Sequence, residues 1–230
     1  MMTPMKLSCI ICAYNEAPRI GTVLTAASNH PLIDEIIVVN DASTDDTAQV
    51  VKKYPGVTLL ELPKNMGKSH ALVQGFRLSQ GELVMLLDAD LANITAADIT
   101  ALAQPVLSGA ANVTLSLRKN AFAIHHLIGL DFTSGERVVP RALLGDVLEE
   151  IEKLPKFGIE SYMNNLIIER GLRIAVVPWQ RVTHTRKSEK HGFLRGALAD
   201  FSMTLDVLRV LSPLGIVRQN RALLKHRATR

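Results

Sequence analysis

Short apolar runs alternate with segments of helical period, and this alternation constrains the chain more than any other feature. Leu7–Ala13, Glu35–Asn40, Val57–Leu62, Leu83–Leu87 and Asn112–Leu117 read as strands. The first, second and fourth are nearly continuous in apolar residues, as expected for strands buried on both faces. Between them lie a helix with Ile20, Val23, Leu24 and Ala27 at i, i+3, i+4 and i+7, a turn 41–45 opening a helix through Ala48 and Val51, and helices over Gly67–Leu78 and Ala96–Leu107, with Pro105 disturbing the end of the last. Strands alternating with helices predict an α/β fold with a mostly parallel, Rossmann-like sheet flanked by helices. In such sheets ligands bind beyond the carboxyl ends of the strands. The polar clusters Tyr14-Asn15-Glu16, Asp41, Asn65-Met66-Gly67-Lys68 and Asp88-Ala89-Asp90 all fall at or near those ends.

The second half is less regular. Asp131–Arg141 is a polar stretch, and Arg141–Lys153 and Ser161–Arg170 look helical. Arg173–Trp179 reads as a strand and Val182–Gly192 as a basic loop. An apolar stripe from Leu194 to Leu208 predicts a helix that Pro213 and Gly215 end, and Ile216–Arg230 is short, basic and amphipathic. The expected division is a domain over residues 1–192 and a helical extension over 193–230.

Of the 230 residues, 47% are apolar, which supplies a core and excludes a disordered chain. Aromatics at 4% weaken any base-stacking role, so no nucleic-acid partner is expected. The net charge of +4 conceals an asymmetry: residues 1–169 carry 13 Lys+Arg and 19 Asp+Glu, whereas residues 170–230 carry 13 and 3. An acidic body suited to a cation and a basic tail suited to anions follow, although a solvated basic tail accounts for the second equally well. Cys9 and Cys12, three apart on a strand, face opposite ways and make a poor metal or redox pair; two buried thiols in a reducing cytosol is the better reading. No apolar segment approaches the ~20 residues of a membrane span, and no leader is visible. A cytoplasmic protein is expected, with Ile216–Arg230 either lying on the inner membrane surface or fraying as a tail.

Asp88 and Asp90 follow a buried strand, where unpaired carboxylates are costly unless a cation meets them. Mg²⁺ or Mn²⁺ suits such oxygens and bridges to phosphates; helix capping is the alternative. Asp41 at a strand end suits ribose hydroxyls or a base N–H, or caps a helix. Asn65-x-Gly67-Lys68 suits a phosphate or ribose, or is an ordinary loop.

The series Ala13-Tyr14-Asn15-Glu16, Val39-Asn40-Asp41-Ala42-Ser43-Thr44-Asp45-Asp46-Thr47, Asn65-Met66-Gly67-Lys68 and Asp88-Ala89-Asp90 resembles the family-two glycosyltransferases of GT-A fold over roughly residues 7–117. The resemblance implies a UDP- or GDP-linked sugar donor, a divalent metal and glycosyl transfer. It places Ala13, Tyr14, Glu16 and Asp41 around base and ribose, Lys68 and Ala89 near the nucleotide, Asp88 near ribose or metal, and Asp90 on the metal. Asn40 and Ala42 stand where many relatives have Asp and Gly. Leu117-Arg118 and Asp131-Phe132-Thr133-Ser134-Gly135-Glu136-Arg137 with Arg141 are similar to the dolichyl- or polyprenyl-phosphate sugar synthases. That similarity implies acceptor phosphate held by Arg118, Ser134, Arg137 and Arg141, and inversion at the anomeric carbon. Glu136 replaces Phe of that pattern and is unfavourable beside an anion unless paired. Asp90, Asp131, Glu160 and Arg137 are the expected catalytic residues, Glu160 as general base or as a helix cap. His184 is the third expected metal ligand, or a structural histidine. Arg186 and Lys190 would close over the diphosphate. A soluble hydroxyl acceptor, a non-catalytic nucleotide-sugar binder and a nucleotidyltransferase-like enzyme stand as alternatives. Tyr14-Asn15-Glu16-Ala17-Pro18 lacks the Gly-rich loop expected of the last, and retained Asp88 and Asp90 count against a degenerate binder. A homodimer is left open.

Overall fold

The computed structural model describes residues 5–154, 158–184 and 212–228. Seven strands form one sheet in the order β3-β2-β1-β4-β7-β6-β8: β1 is Leu7–Ala13, β2 Glu35–Asn40, β3 Val57–Glu61, β4 Leu83–Asp88, β6 Val113–Arg118, β7 Arg137–Pro140 and β8 Ile174–Trp179. The first four are parallel, and β6 is parallel to β8. Strand β7 runs antiparallel between β4 and β6. A separate ribbon pairs β5 (Leu91–Ala92) with β9 (Thr183–His184), antiparallel.

The strand in the polar stretch Asp131–Arg141 is a correction to the sequence reading. Only Val138 and Val139 of β7 are apolar, one for each face of the sheet. The flanking Glu136 and Arg137 are buried with partners, so the strand carries none of the usual alternation.

Period-two burial in β1 divides the core. Leu7, Cys9, Ile11 and Ala13 face one cluster and Ile10 the other. Helices α1 (Ile20–Ala27), α2 (Thr47–Val51) and α4 (Ala96–Leu107) cover the first face. The second is covered by α3 (Lys68–Leu78), α6 (Leu148–Glu152), α7 (Ile159–Glu169) and α8 (Pro213–Lys225). Helix α5 (Ala123–Ile128) lies between β6 and β7 in sequence. Cys9 and Cys12 fall on opposite faces, and burial pushes both thiols up to about 12.

Three local expectations change. Helix α4 continues through Pro105 to Leu107. Arg141–Lys153 is broken into 3-10 turns at Arg141–Leu143 and Gly145–Val147, followed by α6. Pro213 opens a helix, because Ser212 Oγ accepts from the Gly215 amide (3.1 Å) and proline at the first turn forfeits no hydrogen bond. Helix α8 packs on α7: Leu223 is buried, and Gln219 Nε2 donates to Ser161 O (3.0 Å) and Asn165 Oδ1 (2.6 Å). The segment after it bridges the sheet edge, with Ala228 N donating to Ile174 O (2.8 Å). The expected helix 194–208, the boundary at 192/193, and Arg186 and Lys190 lie outside the described residues.

Candidate active site

The register of the parallel strands brings three chain segments to one edge. Cys12 pairs with Asp88 and Ala13 with Asn40, so Ala13, Asp41 and Asp88 sit side by side at carboxyl ends. Asp41 is buried, and its two oxygens accept the backbone N–H of Met66 (2.8 Å) and Gly67 (2.8 Å). This carboxylate holds the turn into α3, where Gly67 adopts φ 91°, a conformation open chiefly to glycine. Asn15 Oδ1 accepts from the Thr44 amide (2.8 Å), and Glu16 is buried and paired with Arg19 (2.9 Å). Tyr14 is exposed at the rim, whereas Ala89 is buried. Ala42 takes φ 58°, which explains why the family pattern has glycine there.

Lys68, first residue of α3, is the hub of the floor. Its Nζ donates to Asp88 Oδ1 (2.8 Å) and Glu160 Oε1 (2.9 Å), tying β4 to α7. Burial alone would lower the ammonium, but Asp88 and Glu160 outweigh it and hold Lys68 well above its ordinary value. Burial likewise pushes the Asp88 carboxyl up; Lys68 and Arg118 overcome this and hold it well below the usual range. Gly135 closes the floor. A Cβ there would stand 2.8 Å from both Asp88 oxygens and from Lys68 Nζ.

Arg118, the last residue of β6, contacts Asp131 Oδ2 (3.3 Å) and Glu136 Oε1 (3.3 Å) and lies 4.0 Å from Asp88 Oδ2. Glu136 is fully buried and also accepts from Ser116 Oγ (2.7 Å) and Ser134 Oγ (2.9 Å). Burial raises its carboxyl, with Arg118 opposing and Asp88 adding to the shift. Asp131 is held well below the usual range, because His125, Arg118 and Thr133 outweigh its burial. His125 Nδ1 stands 3.1 Å from Asp131 Oδ1. Arg137 is fully buried, donating to Asn164 Oδ1 (3.2 Å) and Ser134 O. Two cations, Lys68 and Arg118, thus pair with Asp88, Asp131, Glu136 and Glu160, whereas Arg137 is held by the neutral groups of Asn164 and Ser134. The extra carboxylate that the sequence left unexplained is the partner of Arg118.

The ribbon completes the arrangement. Leu91 pairs with His184, so His184 flanks the residue next to Asp90. Among the described residues no three His, Cys, Asp or Glu side chains gather to hold an ion. A model of the family described as glycosyl transferase family 2 matches residues 8–126.

The chain belongs to glycosyl transferase family 2.

Dolichyl-phosphate beta-glucosyltransferase ALG5C of Trichomonas vaginalis is 43% identical over 94 residues, 35% of this family 2 chain and 28% of that protein. A 4,4'-diaponeurosporenoate glycosyltransferase of Staphylococcus aureus (strain USA300) is 38% identical over 90 residues, 37% of this chain and 24% of that protein. The matched part therefore spans about a quarter of these curated relatives. Glucosyl-3-phosphoglycerate synthase from Mycobacterium tuberculosis, solved with Mn²⁺, UDP and glucosyl-3-phosphoglycerate, superimposes with a TM-score of 0.71. It covers 90% of this chain and 80% of that one at 23% identity, a likeness of fold. The mixed sheet with flanking helices is the GT-A architecture expected from the sequence motifs.

The residues expected at the site separate into groups in this family 2 fold. Ala13, Asp41, Lys68, Asp88, Ala89 and Glu160 meet at or near the strand ends, with Asp90 directly before β5 and His184 on β9. Arg118, Asp131, Ser134 and Arg137 lie beside them but are committed to one another, to Glu136 or to Asn164. Arg141 is elsewhere. It follows Pro140, which pairs with Leu83 at the opposite end of β4 from Asp88. There it donates to Phe76 O (3.2 Å) and lies 4.5 Å over the Phe76 ring. Arg137 and Arg141 stand four apart in sequence, but the extended strand β7 separates them. Gly135, Glu136, His125, Ser116 and Asn164 join the site only in the structure. Of these, Glu136 alone carried a signal, as a charge where the family pattern has Phe.

Proposed function

We propose that this chain transfers a glycosyl group from a UDP- or GDP-linked sugar to polyprenyl phosphate, with inversion. The observation that carries the donor half is the convergence of Ala13, Asp41 and Asp88 at three adjacent strand ends, with Asp90 beside them. Tyr14, Ala13 and Glu16 line the side nearest β2 for base and ribose. Asp90 and His184 would hold Mg²⁺ or Mn²⁺, since carboxylate plus imidazole is a donor pair that a divalent cation of this kind accepts. Asp88, engaged by Lys68, contributes charge rather than an open ligand position. When bound, the cation supplies positive charge against the departing nucleoside diphosphate. Arg186 and Lys190 add to that charge in this reading.

The acceptor half is supported by the dolichyl-phosphate relatives and by the Ser134-Gly135-x-Arg137 stretch. A phosphate oxygen is already a nucleophile and needs no base. A second reading, a soluble hydroxyl acceptor, is favoured by one observation: Arg118 and Arg137 are already neutralised or hydrogen-bonded, and Arg141 is remote. A hydroxyl needs its proton removed, and Glu160, oriented by Lys68, is the base in that reading.

One experiment tests both halves. The protein is screened by thermal shift against UDP-, GDP- and dTDP-sugars with Mn²⁺, then given the best donor, radiolabelled, with a polyprenyl phosphate or with 3-phosphoglycerate. Stabilisation by one donor and label in the solvent-extractable lipid supports the proposal. Label in the water-soluble product selects the second reading. No stabilisation and no transfer overturns the donor assignment.

A further inference from the structure

Two helices outside the site expose large apolar side chains among basic ones. On α5 and the residue before it, Phe122 is 68% exposed, Ile124 54% and Leu127 82%. On α8, Leu214 is 71% exposed and Val217 is also exposed. Leu214, Val217, Arg218, Arg221 and Lys225 recur at i, i+3, i+4, i+7 and i+11, so they share one helical face, opposite the buried Gln219 and Leu223. The helices meet at their ends: a Cβ on Gly129 would stand 2.8 Å from Arg227 Nη1.

Charge says what this face fits. Neither 119–130 nor 212–228 contains an Asp or Glu, whereas together they hold Lys119, Arg218, Arg221, Lys225 and Arg227 beside His126 and His226; His125 is buried against Asp131. Solvated surfaces ordinarily mix both signs. Apolar side chains set in an all-basic field match a layer that is anionic at its surface and apolar beneath.

We infer that α5 and the outer face of α8 form one docking surface for an anionic lipid bilayer, with Phe122, Ile124 and Leu127 entering the headgroup layer and the α8 basic residues meeting lipid phosphates. The surface adjoins the site, because α5 leaves the sheet after Arg118 and returns at Asp131, and these two residues are ion-paired at 3.3 Å. Such a surface serves either acceptor.

Vesicle flotation of the full chain tests it, with phosphatidylcholine vesicles and with vesicles containing roughly a third phosphatidylglycerol. Binding is expected only to the anionic vesicles, and release at about 1 M salt, where screening reaches ~3 Å. Phe122→Ser with Leu127→Ser, both on exposed side chains, reduces binding at least about tenfold. Arg218→Gln with Arg221→Gln removes the preference for anionic lipid. Donor-induced thermal shift is unchanged in both pairs, which separates this test from that of the transferase reading. Absent or equal binding to both vesicles, or flotation of the variants like the parent, overturns the inference. So does a solution dimer that the Phe122/Leu127 variant converts to monomer, since the face would then cover a second copy.

Discussion

Gly135 lies against Asp88 so closely that a single added carbon would stand 2.8 Å from both carboxylate oxygens. This contact lets the chain enter β7 alongside the end of β4 while Asp88 keeps its bond to Lys68. Gly135→Ala is expected to displace Asp88 and Lys68 and to lower donor-dependent activity at least about tenfold, at a stability cost of about 1–3 kcal/mol typical of overpacking. Steady-state kinetics and urea unfolding check the two effects; unchanged kcat/KM would remove Asp88 and Lys68 from the working site.

The β5–β9 ribbon pairs His184 with Leu91, the residue that follows Asp90. Asp90→Asn and His184→Ala are each expected to weaken Mn²⁺ binding in the presence of UDP at least about tenfold, near 1.4 kcal/mol. Titration calorimetry reads this without relying on turnover. Parent-like Mn²⁺ affinity in both variants would refute the ligand pair.

Glu136 makes stability depend on pH in a defined direction. Its folded carboxyl is raised above its ordinary value of 4.5, so it takes up a proton on folding over the interval above that value. Its contribution is fully present below 4.5 and is lost as pH rises through the raised folded value. The stability of the parent minus that of Glu136→Gln is therefore flat below about 4.5 and falls above it. Asp88 and Asp131, both depressed, act oppositely: their stabilisation is present above their ordinary 3.8 and is lost on acidification. Unfolding curves across pH separate the two; a difference that rises with pH would contradict the assignment to Glu136.

Arg141 is expected to act on stability alone. Arg141→Ala removes its contact with the Phe76 ring and its hydrogen bonds to Phe76 O and Ser79 Oγ. The loss is about 1–2 kcal/mol, with donor-dependent activity kept at the parent level. A loss of activity without a loss of stability would return Arg141 to the acceptor site.

Much of the first half of the fold is legible in the sequence. β1, β2 and β4 are buried on both faces and therefore read as apolar runs, and the polar residues at their ends stand out against them; that Asp41 holds the turn into α3 and Asp88 pairs with Lys68 is visible only in the structure. Strand β7 was illegible for the converse reason. Its first residue, Arg137, and the preceding Glu136 are charged yet buried, and partners far away in sequence, Asn164 and Arg118, make that burial tolerable. Helix α5 is too short for a periodic pattern, and its exposed apolar residues blur what pattern there is.

The sequence by itself determined the parallel βα frame, the family motifs and the edge where they collect, because local periodicity and strand direction suffice for those. Tertiary structure decided which charges are spent on one another. Arg118, Arg137 and Arg141 look alike along the chain. The first is neutralised by Glu136 and Asp131, the second is sealed beneath Ser134 and Asn164, and the third packs at the far end of the sheet. Coulomb attraction and desolvation depend on separations of a few ångströms in space, and those separations exist only once the strands are paired.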